Sequence, residues 1–216
     1  MLFRSSSFSG TYFYNLTGAV ANGNNIASYA ELGKLVDNGS GSVSGSSTAS
    51  VAGVFSSYSL SGTYAVQANC TGTLLLSVNS QPAQTITFQI VSGGASALVA
   101  FSSSGGVAEG TAYKATSAGQ CGNTMLTGAY GYLLAGYIGN DAYVYSNAGQ
   151  VGFSGSGTLT AFSVTNLGAG ATQANGTGSY SIAADCSGTA RVTNQNGTSN
   201  YKLAVDRKST RLNSSH

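Results

Sequence analysis

The chain has 216 residues and a formal net charge of +2, and 42% of its residues are hydrophobic, with 13 Tyr and 8 Phe among the aromatics. That apolar content excludes a disordered chain, which combines low hydrophobicity with high net charge. Only 6% of residues are charged, against about 25% in ordinary globular domains, so Ser, Thr, Asn and Gln must supply the polar surface, and no run of about 18 apolar residues offers a membrane-spanning helix.

Glycine is abundant at 31 residues, Pro occurs once and Trp is absent. Gly and Asn in turns, with β-branched and aromatic residues between them, predict many short strands and no amphipathic helix. The first strand covers Thr11–Leu16, with Tyr12 and Tyr14 on one face. Strands over Ile26–Val36 and Gly41–Val54 flank Asp37-Asn38-Gly39, a hairpin signal. Tyr58–Ala68 places Leu60, Tyr64, Val66 and Ala68 on one side, and Asn69-Cys70-Thr71-Gly72 turns into Thr73–Val78. Thr85–Val91 directs Ile86, Phe88 and Ile90 inward. Ser92-Gly93-Gly94 then turns into Ala95–Ser102, and Gly106–Ala115 completes the set. About eight antiparallel strands joined by short turns predict a sandwich or an up-and-down barrel; a small barrel is favoured, because closure removes the edges that aggregate.

The rest of the chain repeats this unit. SGTYAVQANCTGTL (Ser61–Leu74) recurs as TGSYSIAADCSGTA (Thr177–Ala190), a gapless shift of 116 residues. The same shift carries Gly33–Ser44 onto Gly149–Thr160 and Tyr29 onto Tyr145, while a shift of 118 carries Ser9–Gly18 onto Thr127–Gly136. Tyr201–Val205 matches Ile86–Ile90, after which the first copy has two more strands and the second none. The expected fold is therefore all-β: two tandem antiparallel up-and-down barrels, residues 1–117 and 118–205, the second truncated by about two strands.

The closing segment, Asp206–His216, differs abruptly. It holds Arg207, Lys208, Arg211 and the sole histidine, His216. Back-translated, all eleven codons resemble a common short-read sequencing adaptor, so it is set apart from the fold. Without it five basic and five acidic residues remain, which removes the electrostatic basis for nucleic-acid or anionic-membrane binding.

The pattern G-T-Y, then G-x-L-x-x-D/N-G-x-G, then G-T-Y-x-V-x-x-x-C-x-G-T resembles uncharacterised secreted bacterial repeat domains. It is also similar to calycin-like and allene-oxide-cyclase-like barrels. The resemblance covers nearly the whole chain and rests on turn glycines and core tyrosines, so it implies a fold rather than a chemistry.

Cys70 and Cys186 occupy equivalent turns, and Cys121 precedes the first strand of the second copy. One bridge per copy pairs Cys121 with Cys186 and leaves Cys70 without its partner, since the equivalent of Cys121 is Phe3. A Cys70–Cys121 bridge and three buried thiols are the alternatives. A bridge implies an oxidising compartment. Met1–Ser5 carries no signal-peptide core, so an extracellular or cell-surface location implies a signal peptide lost with an incomplete N-terminus.

No histidine precedes the tail, so no Ser-His-Asp or Cys-His nucleophile is available. Asp37, Asp141 and Asp185 lie in turns, where Asp bonds its own backbone. Glu31 and Glu109 lie in strands and are the carboxylates open to acid–base work, although Glu31 corresponds to Asn147 in the second copy. Tyr12, Tyr14 and Tyr64, with Tyr130, Tyr132, Tyr143, Tyr145 and Tyr180, either fill the barrels or line a cavity for an aromatic or sugar ligand. The favoured expectation is a non-catalytic structural or adhesive module, without cofactor or metal, meeting cell-surface or matrix components. A barrel binding a small apolar or aromatic ligand is the alternative, and a cyclase-like enzyme with a buried carboxylate facing a cavity is the third.

Overall fold

A computed structural model of the chain describes residues 8–23, 25–79, 84–103, 105–115, 120–138, 143–167, 170–205 and 213–215. Phe3, Met1–Ser5, Asp141, Arg207, Lys208, Arg211 and His216, which the sequence singled out, lie outside the described residues. The chain divides into two compact units, 1–115 and 116–216.

The first unit has eight strands: β1 (Gly10–Asn22), β2 (Asn25–Asp37), β3 (Ser42–Val51), β4 (Val54–Val66), β5 (Thr71–Val78), β6 (Gln84–Val91), β7 (Ser96–Ser103) and β8 (Gly106–Lys114). Each pairs antiparallel with the next, and β8 returns to β1 from Tyr12↔Lys114 to Val20↔Gly106, closing a barrel. Closure leaves no strand with an unpaired row of backbone donors and acceptors.

Several boundaries differ from the sequence reading: β4 begins at Val54 rather than Tyr58 and ends at Val66 rather than Ala68, and two further differences have a clear cause. β1 continues past Leu16 to Asn22, because Gly18–Val20 form ladders with both β2 and β8 although they lack aromatic alternation. The predicted strand Gly41–Val54 breaks at Ala52-Gly53, which turn with φ of 49° and 82°; Ala is not a left-handed turn former, so composition offered no cue there.

Inside the barrel the period-2 alternation holds. Tyr12, Tyr14, Leu16, Leu60, Tyr64, Leu74, Leu76, Ile86, Phe88 and Ile90 are buried in one cluster. Phe8, just before β1, packs into it, stacking on Tyr12 at 4.2 Å and on Phe88 at 5.0 Å, with Tyr64 edge-on at 5.5 Å. Burying a Phe-sized side chain stabilises by about 1.5–3 kcal/mol.

The second unit has β9 (Thr127–Ile138), β10 (Tyr143–Ser154), β11 (Thr158–Asn166), β12 (Ala171–Ile182), β13 (Ser187–Asn194) and β14 (Gly197–Ala204), curled into a half-barrel. A three-residue strand, β15 (Asn213–Ser215), pairs with Lys202–Ala204 of β14. That strand comes from the segment the sequence had set apart. An outer edge such as that of β14 presents free ladder groups, and an extended segment satisfies them whatever its side chains.

The sequence shift reappears as geometry. Cys70 and Cys186 both hold left-handed backbone, φ 70° and 71°. Their N–H groups donate to Gln67 and Ala183 carbonyls at 3.0 and 2.9 Å. Tyr64 and Tyr180 N–H groups donate to Gly41 and Gly157 at 2.9 and 2.8 Å. Cys121 and Cys186 form a disulfide; Cys70 is a free, partly buried thiol.

Candidate functional site: the barrel interiors

Two polar clusters interrupt the apolar interior of the first barrel. One lies at the end where β2 turns into β3. Asp37 ends β2, and its Oδ1 accepts the Gly39 N–H at 2.8 Å, the turn bond expected of it. The same oxygen lies 2.8 Å from the Tyr64 hydroxyl, which also lies 2.8 Å from the Phe8 carbonyl. The Tyr12 hydroxyl donates to the Gly94 carbonyl at 2.7 Å. Burial raises the Asp37 pKa, partly offset by the Gly39 and Tyr64 hydrogen bonds and the charge of Lys114. Burial likewise raises Tyr12 and Tyr64, with the neighbouring Asp37 charge adding to both.

The other cluster is Glu31 with two tyrosines. β1 pairs with β2 so that Leu16 faces Glu31 and Tyr14 faces Gly33. An added Cβ on Gly33 would lie 2.2 Å from the Tyr14 ring, so glycine there lets the ring lie flat on the strand. The Tyr14 hydroxyl then donates to Glu31 Oε1 at 2.6 Å, and Tyr29, two residues along the same face, donates to Oε2. Glu31 is 9% exposed. A carboxylate taken out of water costs free energy unless hydrogen-bonded, and the two phenols occupy both oxygens. Burial first, then the Glu31 charge, pushes Tyr14 and Tyr29 well above the ordinary tyrosine pKa.

Glu31, Tyr14 and Tyr29 border a cavity of about 80 Å³ among Leu, Ile and Phe side chains. Tyr12 and Tyr64 do not border it; they belong to the packed end. Glu109 is exposed on β8, because it alternates with Ala108 and faces outward. The two strand carboxylates are therefore not brought together, and no paired acid–base site forms from them.

In the second unit the equivalent face carries Tyr132 over Gly149, with Tyr145, Asn147 and Thr165. Asn147 is 6% exposed and its amide donates to Thr165 Oγ1 at 2.6 Å. Burial raises the pKa of Tyr132, Tyr145 and Tyr201. These residues border a cavity of about 330 Å³, with Phe153, Leu159 and Leu203 among its apolar walls. Tyr130 and Tyr180 lie outside it; both pack edge-on against Phe153, at 5.6 and 4.8 Å. Tyr145, a sequence candidate, borders the cavity with Tyr132, while sequence reasoning passed over Tyr29, Thr165 and Tyr201 as site residues. The i, i+2 spacing of Tyr29 and Glu31 was the available signal.

Among the described residues no group of three His, Cys, Asp or Glu is placed to hold a metal, and no helix is long and apolar enough to cross a membrane. Fold and interior together define a class: an all-β protein built on a closed, eight-stranded antiparallel barrel with a tyrosine-rich core. No family model, curated protein or solved structure matches the chain.

Proposed function

We propose that the chain is a non-catalytic structural or adhesive module of a secreted or surface-displayed bacterial protein, built as a tandem duplication of a calycin-like barrel. The observation that carries this reading is the filled first barrel. Phe8, Tyr12, Tyr64 and Phe88 occupy one end, Tyr14, Tyr29 and Glu31 satisfy one another in the middle, and about 80 Å³ is left. Ligand pockets run to about 300–1,000 Å³. The matched turns around Cys70 and Cys186 support the duplication, and the Cys121–Cys186 bridge supports an oxidising compartment.

A second reading, a barrel binding a small apolar or aromatic ligand, is favoured by the cavity of about 330 Å³ in the second unit. One titration separates them. The intact chain is followed by NMR while phenol, indole and benzoate are added, and chain-coated beads are tested on cell-wall polymer and matrix protein. The module reading expects bead retention and unmoved resonances for Tyr14, Tyr29 and Phe88. Saturable shifts at those three residues overturn it; shifts confined to Tyr132, Tyr145 and Tyr201 move the assignment to the second reading.

A further inference from the structure

Asp37 and Glu31 are both buried on β2 of the first barrel, and their charges are answered differently. Asp37 lies at the packed end with the charge of Lys114 acting on it, and the Lys114 Nζ stands 6.0 Å from the centre of the Tyr12 ring. That end holds an anion, a cation and an aromatic face together. Glu31 has the anion and the aromatic faces. Among the described residues no lysine or arginine acts on the two phenols that donate to it; Glu31, Ser47 and other tyrosines do. Lys34 alternates with Gly33 and Leu35, both buried, and so faces out of the barrel.

Where a cation would stand there is space. The cavity of about 80 Å³ lies inside the barrel that closes on itself, and it is bordered by Glu31 and by the rings of Phe8, Tyr14, Tyr29, Phe88 and Phe101. A carboxylate presents about four lone-pair positions. The Tyr14 and Tyr29 hydroxyls each take one, on different oxygens, so each oxygen can accept again. On the border of the cavity Tyr29 and Val78 are only partly buried and Gln84 is exposed, which marks the side of entry.

We propose that this cavity is a binding site for a small organic ammonium ion, held by Glu31 and enclosed by the aromatic rings. The carboxylate accepts the ammonium N–H, and the ring faces attract the charged methyl groups, most strongly out of water. The ion in turn offsets the cost of keeping a carboxylate away from solvent. Volume narrows the class. An apolar cavity of about 150 Å³ takes benzene, so about 80 Å³ suits an ion of roughly three or four non-hydrogen atoms, such as a di- or trimethylated ammonium. The second unit has Asn147 at the position of Glu31, beside Tyr132 and Tyr145, so it keeps rings without the anion and serves as an internal control. A site this small excludes phenol, indole and benzoate, and the inference goes beyond the module reading without depending on it.

The test titrates dimethylammonium chloride into the intact chain at neutral pH and fixed ionic strength, with Tyr14, Tyr29, Phe88 and Phe101 followed by NMR. Saturable shifts at these residues are expected, with a dissociation constant of about a millimolar for so small a ligand, while Tyr132 and Tyr145 stay unmoved. Isopropanol, a neutral molecule of similar shape, and potassium chloride are expected to produce none. Glu31→Gln, which keeps an acceptor for the phenols, weakens binding at least about tenfold, and Asp37→Asn leaves it unchanged. Val99→Phe, which fills the cavity and keeps Glu31, abolishes it. The proposal is overturned by an absence of saturable shifts in the parent chain, or by equal binding in Glu31→Gln. Isopropanol binding as tightly as the ammonium ion, or equal shifts at Tyr132 and Tyr145, overturns it as well, since rings and apolar walls alone would then account for the binding. The isopropanol comparison needs only the parent chain, so it decides the matter even where a variant does not fold.

Discussion

Tyr64 and Tyr180 close the same hydrogen bond in the two units: the first reaches the Phe8 carbonyl at 2.8 Å, the second the Leu126 carbonyl at 2.9 Å. In each case a phenol on the fourth strand of its unit ties down the segment that enters the first strand. The bond is long-range and local propensity cannot make it; the register of four strands delivers the hydroxyl to that carbonyl.

Removing either hydroxyl leaves buried acceptors without a donor. Tyr64→Phe and Tyr180→Phe are each expected to destabilise their own unit by about 1–3 kcal/mol. Urea denaturation followed residue by residue by NMR checks this. A loss spread equally over both units for either variant would contradict it.

Glu31 accepts from Tyr14 and Tyr29. Glu31→Leu strands two buried phenols and is expected to cost about 2–4 kcal/mol, counting roughly 1–2 for each lost acceptor. Glu31→Gln keeps one acceptor and turns the other bond round, so it costs less. Chemical denaturation of the two variants gives the order, and Gln costing as much as Leu would refute the hydrogen-bond account.

Alkali tests the buried tyrosines. Tyr12, Tyr14, Tyr29 and Tyr64 have folded pKa values raised above the ordinary 10.0. Their contribution to stability is fully present below pH 10 and is lost as pH rises toward the folded values. The phenolate absorbance of these side chains is expected to appear together with loss of near-ultraviolet circular dichroism, not before it.

Asp37 has a raised pKa of the same sign. Its favourable contribution is present below the unfolded value of 3.8 and fades as pH rises through the folded value. Asp37→Asn keeps an acceptor for Gly39 and Tyr64 and no longer carries the buried charge. The variant is expected to match or exceed the parent in stability at neutral pH and to lose that advantage as pH falls, as melting curves at both ends of the range will record.

Reducing Cys121–Cys186 opens a loop whose ends are 65 residues apart, a separation at which the loop-entropy account gives about 4 kcal/mol. Reductant is expected to lower the melting transition of the second unit and leave that of the first unchanged, since Cys70 is a free thiol. Differential scanning calorimetry with and without reductant reads both transitions.

The strands were legible because each reports through its own alternation. Ile86, Phe88 and Ile90 are buried as their period-2 spacing required. The turn at Asp37-Asn38-Gly39 was legible because Asn38 Oδ1 can accept its neighbours' N–H groups, as it does from Ser40 and Ser42. The turn at Ala52-Gly53 was not, because neighbouring strands rather than local preference hold Ala52 at positive φ.

From residue order alone came the all-β class, the pairing of Cys121 with Cys186 as one of three possibilities, and the equivalence of Tyr64 with Tyr180. Those features are local, or repeat at a constant spacing, so no contact map is needed to read them. Which of two strand carboxylates is buried was decided by the tertiary structure. Glu31 and Glu109 look alike in sequence, but strand register aims Glu31 at the Tyr14 and Tyr29 hydroxyls and turns Glu109 to solvent. The same holds for the interiors: a filled barrel and an open half-barrel arise from stretches that share turn and tyrosine spacing, because interior volume depends on how many strands close around it.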